Sequence, residues 1–171
     1  MRKLQVHFLG ASGTVTGSKF YLHTDEIKIL VDCGVFQGIK ELRQQNRESL
    51  PINVAEVEYV LLTHGHLDHC GYLPLLVKQG FKGTILGTAP TLEIAKIILE
   101  DSSKIHEEEA ERANKEGYTK HDPALPLYTQ EDVVATLPLF KSIDEGEKIQ
   151  LSEHCTVSFH FNGHIIGSTY I

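Results

Sequence analysis

The chain of 171 residues has no tryptophan, a single methionine and only three cysteines. Cys33, Cys70 and Cys155 are odd in number and far apart, which excludes a disulfide framework and fits reduced, buried thiols. No C-x-x-C pair occurs, so the thiolate-rich sites typical of structural zinc are excluded as well. No apolar run approaches the roughly 20 residues of a membrane-spanning helix, and Met1-Arg2-Lys3 leads directly into a strand-like segment without a signal-peptide core. A cytoplasmic protein without membrane contact is the expectation. Basic runs are absent too, and the formal charge is −7, which argues against a stand-alone nucleic-acid-binding module. A metal-dependent nuclease is not excluded, provided that bound cations or another segment attract the polyanion.

What is present is concentrated in Thr63-His64-Gly65-His66-Leu67-Asp68-His69-Cys70. Three imidazoles and a carboxylate within eight residues are borderline-hard donors suited to Zn²⁺. Alternate residues at a strand end project the same way, so His64 and His66 can grip one ion. Asp68 and His69, expected on a turn, could face a second. A pair of ions activates water and clamps both oxygens of a displacement at phosphorus. Ten histidines in the chain make an accidental match conceivable, but so long a spaced motif has a low false-positive risk.

The pattern around this motif is that of an α/β domain. Strands are expected at Leu4 to Gly10, Lys19 to His23, Ile27 to Val31, Val57 to Thr63 and Thr84 to Thr88. A helix begins at Leu73-Pro74 and stops at Gly80, and Pro90 opens a long one in which Leu92, Ala95, Ile98, Ser102 and Ile105 recur at helical spacing before Gly117. Glu107-Glu108-Glu109 reads as a solvated face, with Glu108 placed to pair with Arg112. Lys120 to Pro126 reads as a loop. Thr129 and Asp132 resemble the N-cap of a helix over Glu131 to Leu137. Strands return from Lys141, clearest where Val157, Phe159 and Phe161 alternate with Ser158, His160 and Asn162, which makes one face core. The apolar Ser168-Thr169-Tyr170-Ile171 suggests a strand cut from a longer protein.

Two more residues join the candidate site. Asp32, in Leu30-Val31-Asp32-Cys33-Gly34, is delivered by an apolar strand before a glycine turn; it is either a turn cap or, given the motif, a carboxylate that fixes a metal-bound histidine. His164, between Gly163 and Gly167, is another strand-end histidine and the choice for third ligand of the ion held by His64 and His66, an open catalytic geometry. His160, His154, His121, His106, His23 and His7 are assigned to surface or packing. Cys33 and Cys70 stay off the ligand list as small buried side chains. Gly10 to Lys19 is not a phosphate-binding loop, because Gly17-Ser18-Lys19 runs into a strand; a tight inter-strand turn near the metal site is the better account.

Asp32, His64-x-His66-x-Asp68-His69 and Gly163-His164 together resemble the first three motifs of the metallo-β-lactamase superfamily. Phe8-Leu9-Gly10-Ala11, Val15-Thr16-Gly17-Ser18, Leu99-Glu100-Asp101-Ser102, Leu127-Tyr128-Thr129 with Glu131-Asp132-Val133, and Gly167-Ser168 resemble more narrowly its β-CASP group of RNA- and DNA-processing nucleases. The resemblance implies an αββα sandwich of mixed sheets flanked by helices, of which residues 1–171 form the N-terminal half. It implies two zinc ions, one on His64, His66 and His164, the other on Asp68 and His69, with Asp32 and Asp68 as catalytic carboxylates and Asp32 supporting the site. It implies hydroxide attack in line on a phosphodiester, with single-stranded RNA as substrate or else DNA, and a homodimer formed through parts of the full-length protein. The family's later bridging Asp, its inserted β-CASP domain and a further His ligand are not in this sequence. The isolated chain is therefore expected to bind zinc incompletely and to cleave little or no RNA. The alternatives are a hydrolase of thioesters, lactones or β-lactams with the same cluster, and a non-catalytic scaffold subunit of an RNA-processing complex.

Overall fold

A computed structural model describes residues 3–118 and 122–171. Its centre is a six-stranded sheet in sequence order: β1 (Gln5–Gly10), β2 (Lys19–His23), β3 (Lys28–Val31), β4 (Tyr59–Leu61), β5 (Thr84–Thr88) and β6 (Phe140–Ile143). The first three pair antiparallel and β3 to β6 pair parallel. Parallel neighbours require crossovers, which are made by α1 (Lys40–Gln45), by α2 (Leu67–Cys70) with α3 (Leu73–Lys78), and by α4 (Ala89–Glu116) with α5 (Gln130–Thr136). The carboxyl ends of β3, β4 and β5 consequently share one edge, where open α/β sheets place their ligands.

Both faces of the sheet carry apolar side chains. Leu30, Val60 and Ile85 meet Leu73, Leu76, Leu92, Ala95, Leu99 and Val133 from the helices. Ile29, Leu61, Leu86 and Ile143 meet Leu151 and Phe159 beneath β7 (Ile149–Ser152) and β8 (Cys155–Val157), which form a two-stranded sheet of their own. A third small sheet pairs β9 (His160–Phe161) with β10 (Thr169–Tyr170). The layers are thus helices, a mixed sheet and a partial second sheet, as an α/β sandwich requires.

Local signals explain the long helix. The Thr88 side chain accepts from Thr91 N, Pro90 fills the first turn, and Gly117 closes the helix at φ 66°. The stripe differs from expectation: it runs through Leu99, Ser102, Ser103 and Ala113, which are buried, and Ile105 falls on the exposed face. Its ion pairs are Lys104–Glu108 and Arg112–Glu116 rather than one from Glu108 to Arg112.

Three other expectations are corrected. Residues 157–162 are not one alternating strand: β8 ends at Val157 and β9 begins a different ladder, so Phe159 is buried while Phe161 is exposed. Strand β4 is shorter than Val57 to Thr63, and His64 and His66 stand beyond its end. Asp68 and His69 sit on the one-turn helix α2, not on an open turn. In the expected loop of residues 120–126, and for His121, residues 120 and 121 lie outside the described residues.

Candidate metal centre

Asp32 terminates β3 in the left-handed region, at φ 57°, a conformation costly for a non-glycine residue and found where the surroundings over-determine it. The surroundings are visible. Asp32 is 3% exposed, and its Oδ1 accepts from Thr63 N at 2.8 Å and lies 2.9 Å from Thr63 Oγ1. Oδ2 accepts from His69 Nδ1 at 2.7 Å and from Ser18 Oγ at 3.3 Å. The next residues lock this corner to α2: Cys33 N donates to His69 O, and Ser18 N donates to Asp68 O. Gly34 must be glycine, since a Cβ there would fall 1.6 Å from Asp68 O.

The hydrogen bonds fix tautomers. Thr63 Oγ1 has one proton, and the carboxylate of Asp32 lies 2.9 Å from it at both oxygens. The hydroxyl therefore donates to Asp32, and His64 Nδ1, 2.9 Å from the same Oγ1, must be the donor toward it. That leaves the lone pair of His64 on Nε2. By the same logic His69 Nδ1 donates to Asp32 and keeps its lone pair on Nε2. One carboxylate thus orients two imidazoles, one directly and one through Thr63, the outer-shell arrangement that metal-binding histidines use.

The freed lone pairs converge. His64 Nε2 is 3.1 Å from His66 Nδ1, and His164 Nε2 is 3.3 Å from that same nitrogen. Ligand atoms of the three residues all lie within 4.8 Å of one another. Nitrogens bound to one zinc at roughly 2.0–2.1 Å in a tetrahedron stand about 3.3 Å apart, so the donor set fits a zinc ion with one position open. Burial, reinforced by nearby His69, pushes the pKa of His64 down to about 4, and a neutral imidazole is the form a metal needs.

Asp68 and His69 form a second, smaller group. Asp68 Oδ2 lies 3.7 Å from His69 Nε2, and among the described residues no third donor joins them. For His69, burial alone lowers the pKa, but the hydrogen bond and charge of Asp32 and the charge of Asp68 outweigh it and the net shift is upward.

His164 arrives from far along the chain and is held by its loop. Its N donates to Asn162 Oδ1, and Thr169 N donates to Thr63 O at 2.9 Å, which pins the loop beside His64. Gly167 O accepts from both the Thr88 and Thr91 hydroxyls at the start of α4. Asp32, Thr63, His64, His69 and His164 border a cleft of about 500 Å³.

Every residue singled out from the sequence for the site is thus at this edge. Thr63, Ser18, Thr88 and Thr91 were missed as positioning residues. The signal for Thr63 lies in the parallel register: Val31 is opposite Leu61, so Thr63, just beyond β4, comes within reach of Asp32, just beyond β3. Burial pushes the Cys33 thiol up to about 12 and also raises that of Cys70, so both stay protonated, as befits packing residues. His7, His23, His106, His154 and His160 stand apart from the cluster. His154 gathers with Glu26 and Glu153 on the surface, where acidic groups commonly meet without an ion.

The model of the metallo-beta-lactamase superfamily matches residues 13–165. The chain belongs to that superfamily. Metallo-β-lactamase structures share its fold: SMB-1 in complex with mercaptoacetic acid, at a TM-score of 0.54 and 20% identity, and BJP-1 of Bradyrhizobium japonicum, at 0.53 and 21%. Each match covers 96% of this chain and 53% or 52% of the other. Among curated relatives, Ribonuclease TTHA0252 of Thermus thermophilus is 34% identical over 162 residues, 95% of this chain and 33% of its own length. Transcription termination factor FttA of Methanocaldococcus jannaschii is 29% identical over 165 residues, and that of Methanosarcina mazei 34% over 168. The chain spans about a quarter of each of those factors' length. The superfamily resemblance read from the motifs is borne out, and metal dependence comes with it.

Proposed function

We propose that this metallo-β-lactamase chain is the N-terminal half of the catalytic domain of a zinc-dependent nuclease that hydrolyses phosphodiester bonds in single-stranded RNA. The observation that carries the reading is the convergence of His64, His66 and His164 on a common point, with the tautomer of His64 set by Asp32 through Thr63. The relatives named for ribonuclease activity and transcription termination support RNA over other substrates of this fold.

In this reading His64 Nε2, His66 Nδ1 and His164 Nε2 would hold one zinc ion, and Asp68 and His69 would contribute to holding a second. Such ions would supply Lewis acidity at this edge. The chain's own groups do the positioning. Asp32 keeps His69 and, through Thr63, His64 in the productive tautomer, and Asp68 brings negative charge that balances the cations.

The test is cleavage of labelled RNA by the complete gene product with zinc, beside a panel of thioesters and lactones. Zinc-dependent RNA cleavage lost in His64→Ala is the expected result; turnover of the ester panel with RNA left intact would replace the reading. Residues 1–171 alone are expected to cleave little RNA, since the second ion lacks donors.

A further inference from the structure

The chain has four arginines, Arg2, Arg43, Arg47 and Arg112. Arg2 lies outside the described residues, and the other three all line one cleft of about 880 Å³ between α1, α4 and residues 123–127. They come from separate parts of the sequence, so their meeting is a property of the fold. Among the described residues no lysine, a residue three times as frequent in the chain, lines the cleft. Guanidinium rather than ammonium is the group suited to forked recognition of phosphate.

The guanidiniums are only partly used. That of Arg43 makes no hydrogen bond or ion pair among the described residues, Arg47 Nη2 donates to Leu125 O at 2.9 Å, and Arg112 Nε donates to Glu116 at 3.0 Å. With five donors each, most N–H groups stay free to meet a ligand. His106 also lines the cleft with a buried Nδ1 that has no partner, and Glu109 is the single acidic residue there. Tyr118 stands 62% exposed at the rim, a ring face on which a base can stack.

The cleft is joined to the metal centre through the backbone. Val35 and Phe36 on its wall follow directly on Asp32-Cys33-Gly34, and Leu67 precedes Asp68. None of the candidate metal ligands lines the cleft itself, but its wall lies within three residues of Asp32 and one of Asp68 along the chain. Resting on the nuclease reading, we infer that this arginine cleft binds the phosphate backbone of single-stranded RNA flanking the scissile bond, through Arg43, Arg47 and Arg112, with Tyr118 stacking a base. It explains how a chain of charge −7 holds a polyanion: the needed positive charge is local.

The test is fluorescence anisotropy of a labelled ten-nucleotide uridine RNA with the 171-residue chain in EDTA, so that metal plays no part. The double variant Arg43→Ala/Arg112→Ala is expected to bind roughly tenfold more weakly, and its log-log salt slope to fall by about 1.4, because two phosphates are no longer neutralised. Arg43→Lys/Arg112→Lys should restore the salt slope but only part of the affinity. Lys82→Ala, which removes one charge near the start of β5 at the opposite edge of the sheet, should bind like the parent. Both arginines are exposed, and an unchanged melting temperature confirms folding. Parental affinity and slope in the double alanine variant would overturn the inference, as would equal binding of polyglutamate at matched charge. Because binding is read without metal, absence of RNA cleavage by the complete protein would sink the nuclease reading while leaving the cleft's RNA affinity measurable.

Discussion

The two candidate metal positions are built to different degrees. At the first, His64, His66 and His164 supply three nitrogens at separations of 3.1 and 3.3 Å between neighbours. At the second, Asp68 and His69 supply two donors 3.7 Å apart. Yet both are oriented by the same carboxylate, Asp32. The difference teaches that orientation and ligand count are separate properties: a pair with only two donors is already held in one tautomer by Asp32.

The largest expected effect comes from breaking what the two positions share. A Gly34→Ala side chain would overlap Asp68 O and His69 N, at 1.6 and 2.4 Å, and both are backbone atoms that cannot step aside. Overpacking of this kind costs at least about 3 kcal/mol, and more where backbone must move. The measurement is chemical denaturation of the metal-free chain, with both positions expected to fail together.

Next comes the loss of one position alone. His66 Nδ1 is the nitrogen that neighbours both other donors, so His66→Ala removes the centre of the three-histidine set. A structural zinc site holds its ion with about 10–16 kcal/mol from four ligands, so one ligand is worth about 3 kcal/mol, or roughly a hundredfold in affinity. Zinc titration of the parent chain should show one tight ion, and the variant none. Two equally tight ions in the parent would erase the distinction between the positions.

The candidate ligands were legible in the sequence and the groups that orient them were not, for a physical reason. His64, His66, Asp68 and His69 crowd into six residues, and few structural demands produce such crowding; His164 stood out by its glycine flanks at a strand end. Thr63 and Ser18 are ordinary hydroxyls whose role depends on what the fold sets opposite them. The same holds for the fold. Strands β2 and β5 and the long helix α4 carry strong local signals and form where expected. Helix α1 buries no residue and so has no apolar period to read. The alternation over residues 157–162 was real as pattern, but the chain changes ladders after Phe159, which resets which face is inward.

Orientation can be separated from ligand count by a pair of milder variants. Thr63→Val removes the hydroxyl that accepts from His64 and leaves the Asp32–His69 bond in place, so only the first position should weaken. Asp32→Asn affects both, since an amide cannot accept from every donor now facing the carboxylate, and asparagine tolerates a φ of 57° well enough to leave the backbone in place. Loss of an outer-shell partner costs about 10–100-fold in metal affinity. Zinc titration of Thr63→Val, and of Asp32→Asn in the complete protein where the second position can fill, reads the two effects apart.

The smallest effect should come from a region that touches neither position, and it calibrates the rest. Thr129 and Asp132 form a reciprocal capping box at α5: Thr129 Oγ1 accepts from Asp132 N, and Asp132 Oδ2 accepts from Thr129 N at 2.9 Å. Asp132→Ala is expected to cost about 1 kcal/mol in denaturation. The Lys78–Asp132 pair, with its lysine exposed, should add little. Burial alone would raise the Asp132 pKa, but the Thr129 N–H and the Lys78 ammonium outweigh it and the folded value is depressed. Its stabilisation is therefore present above the unfolded carboxylate value of about 3.9 and is lost as the pH falls through the folded value. The parent and Asp132→Ala should differ at neutral pH and converge in acid, while zinc affinity at the three-histidine position stays the same in both. A change in zinc affinity in this variant would mean that the metal positions respond to general loosening of the fold, and the losses in Thr63→Val and Asp32→Asn could then no longer be read as orientation.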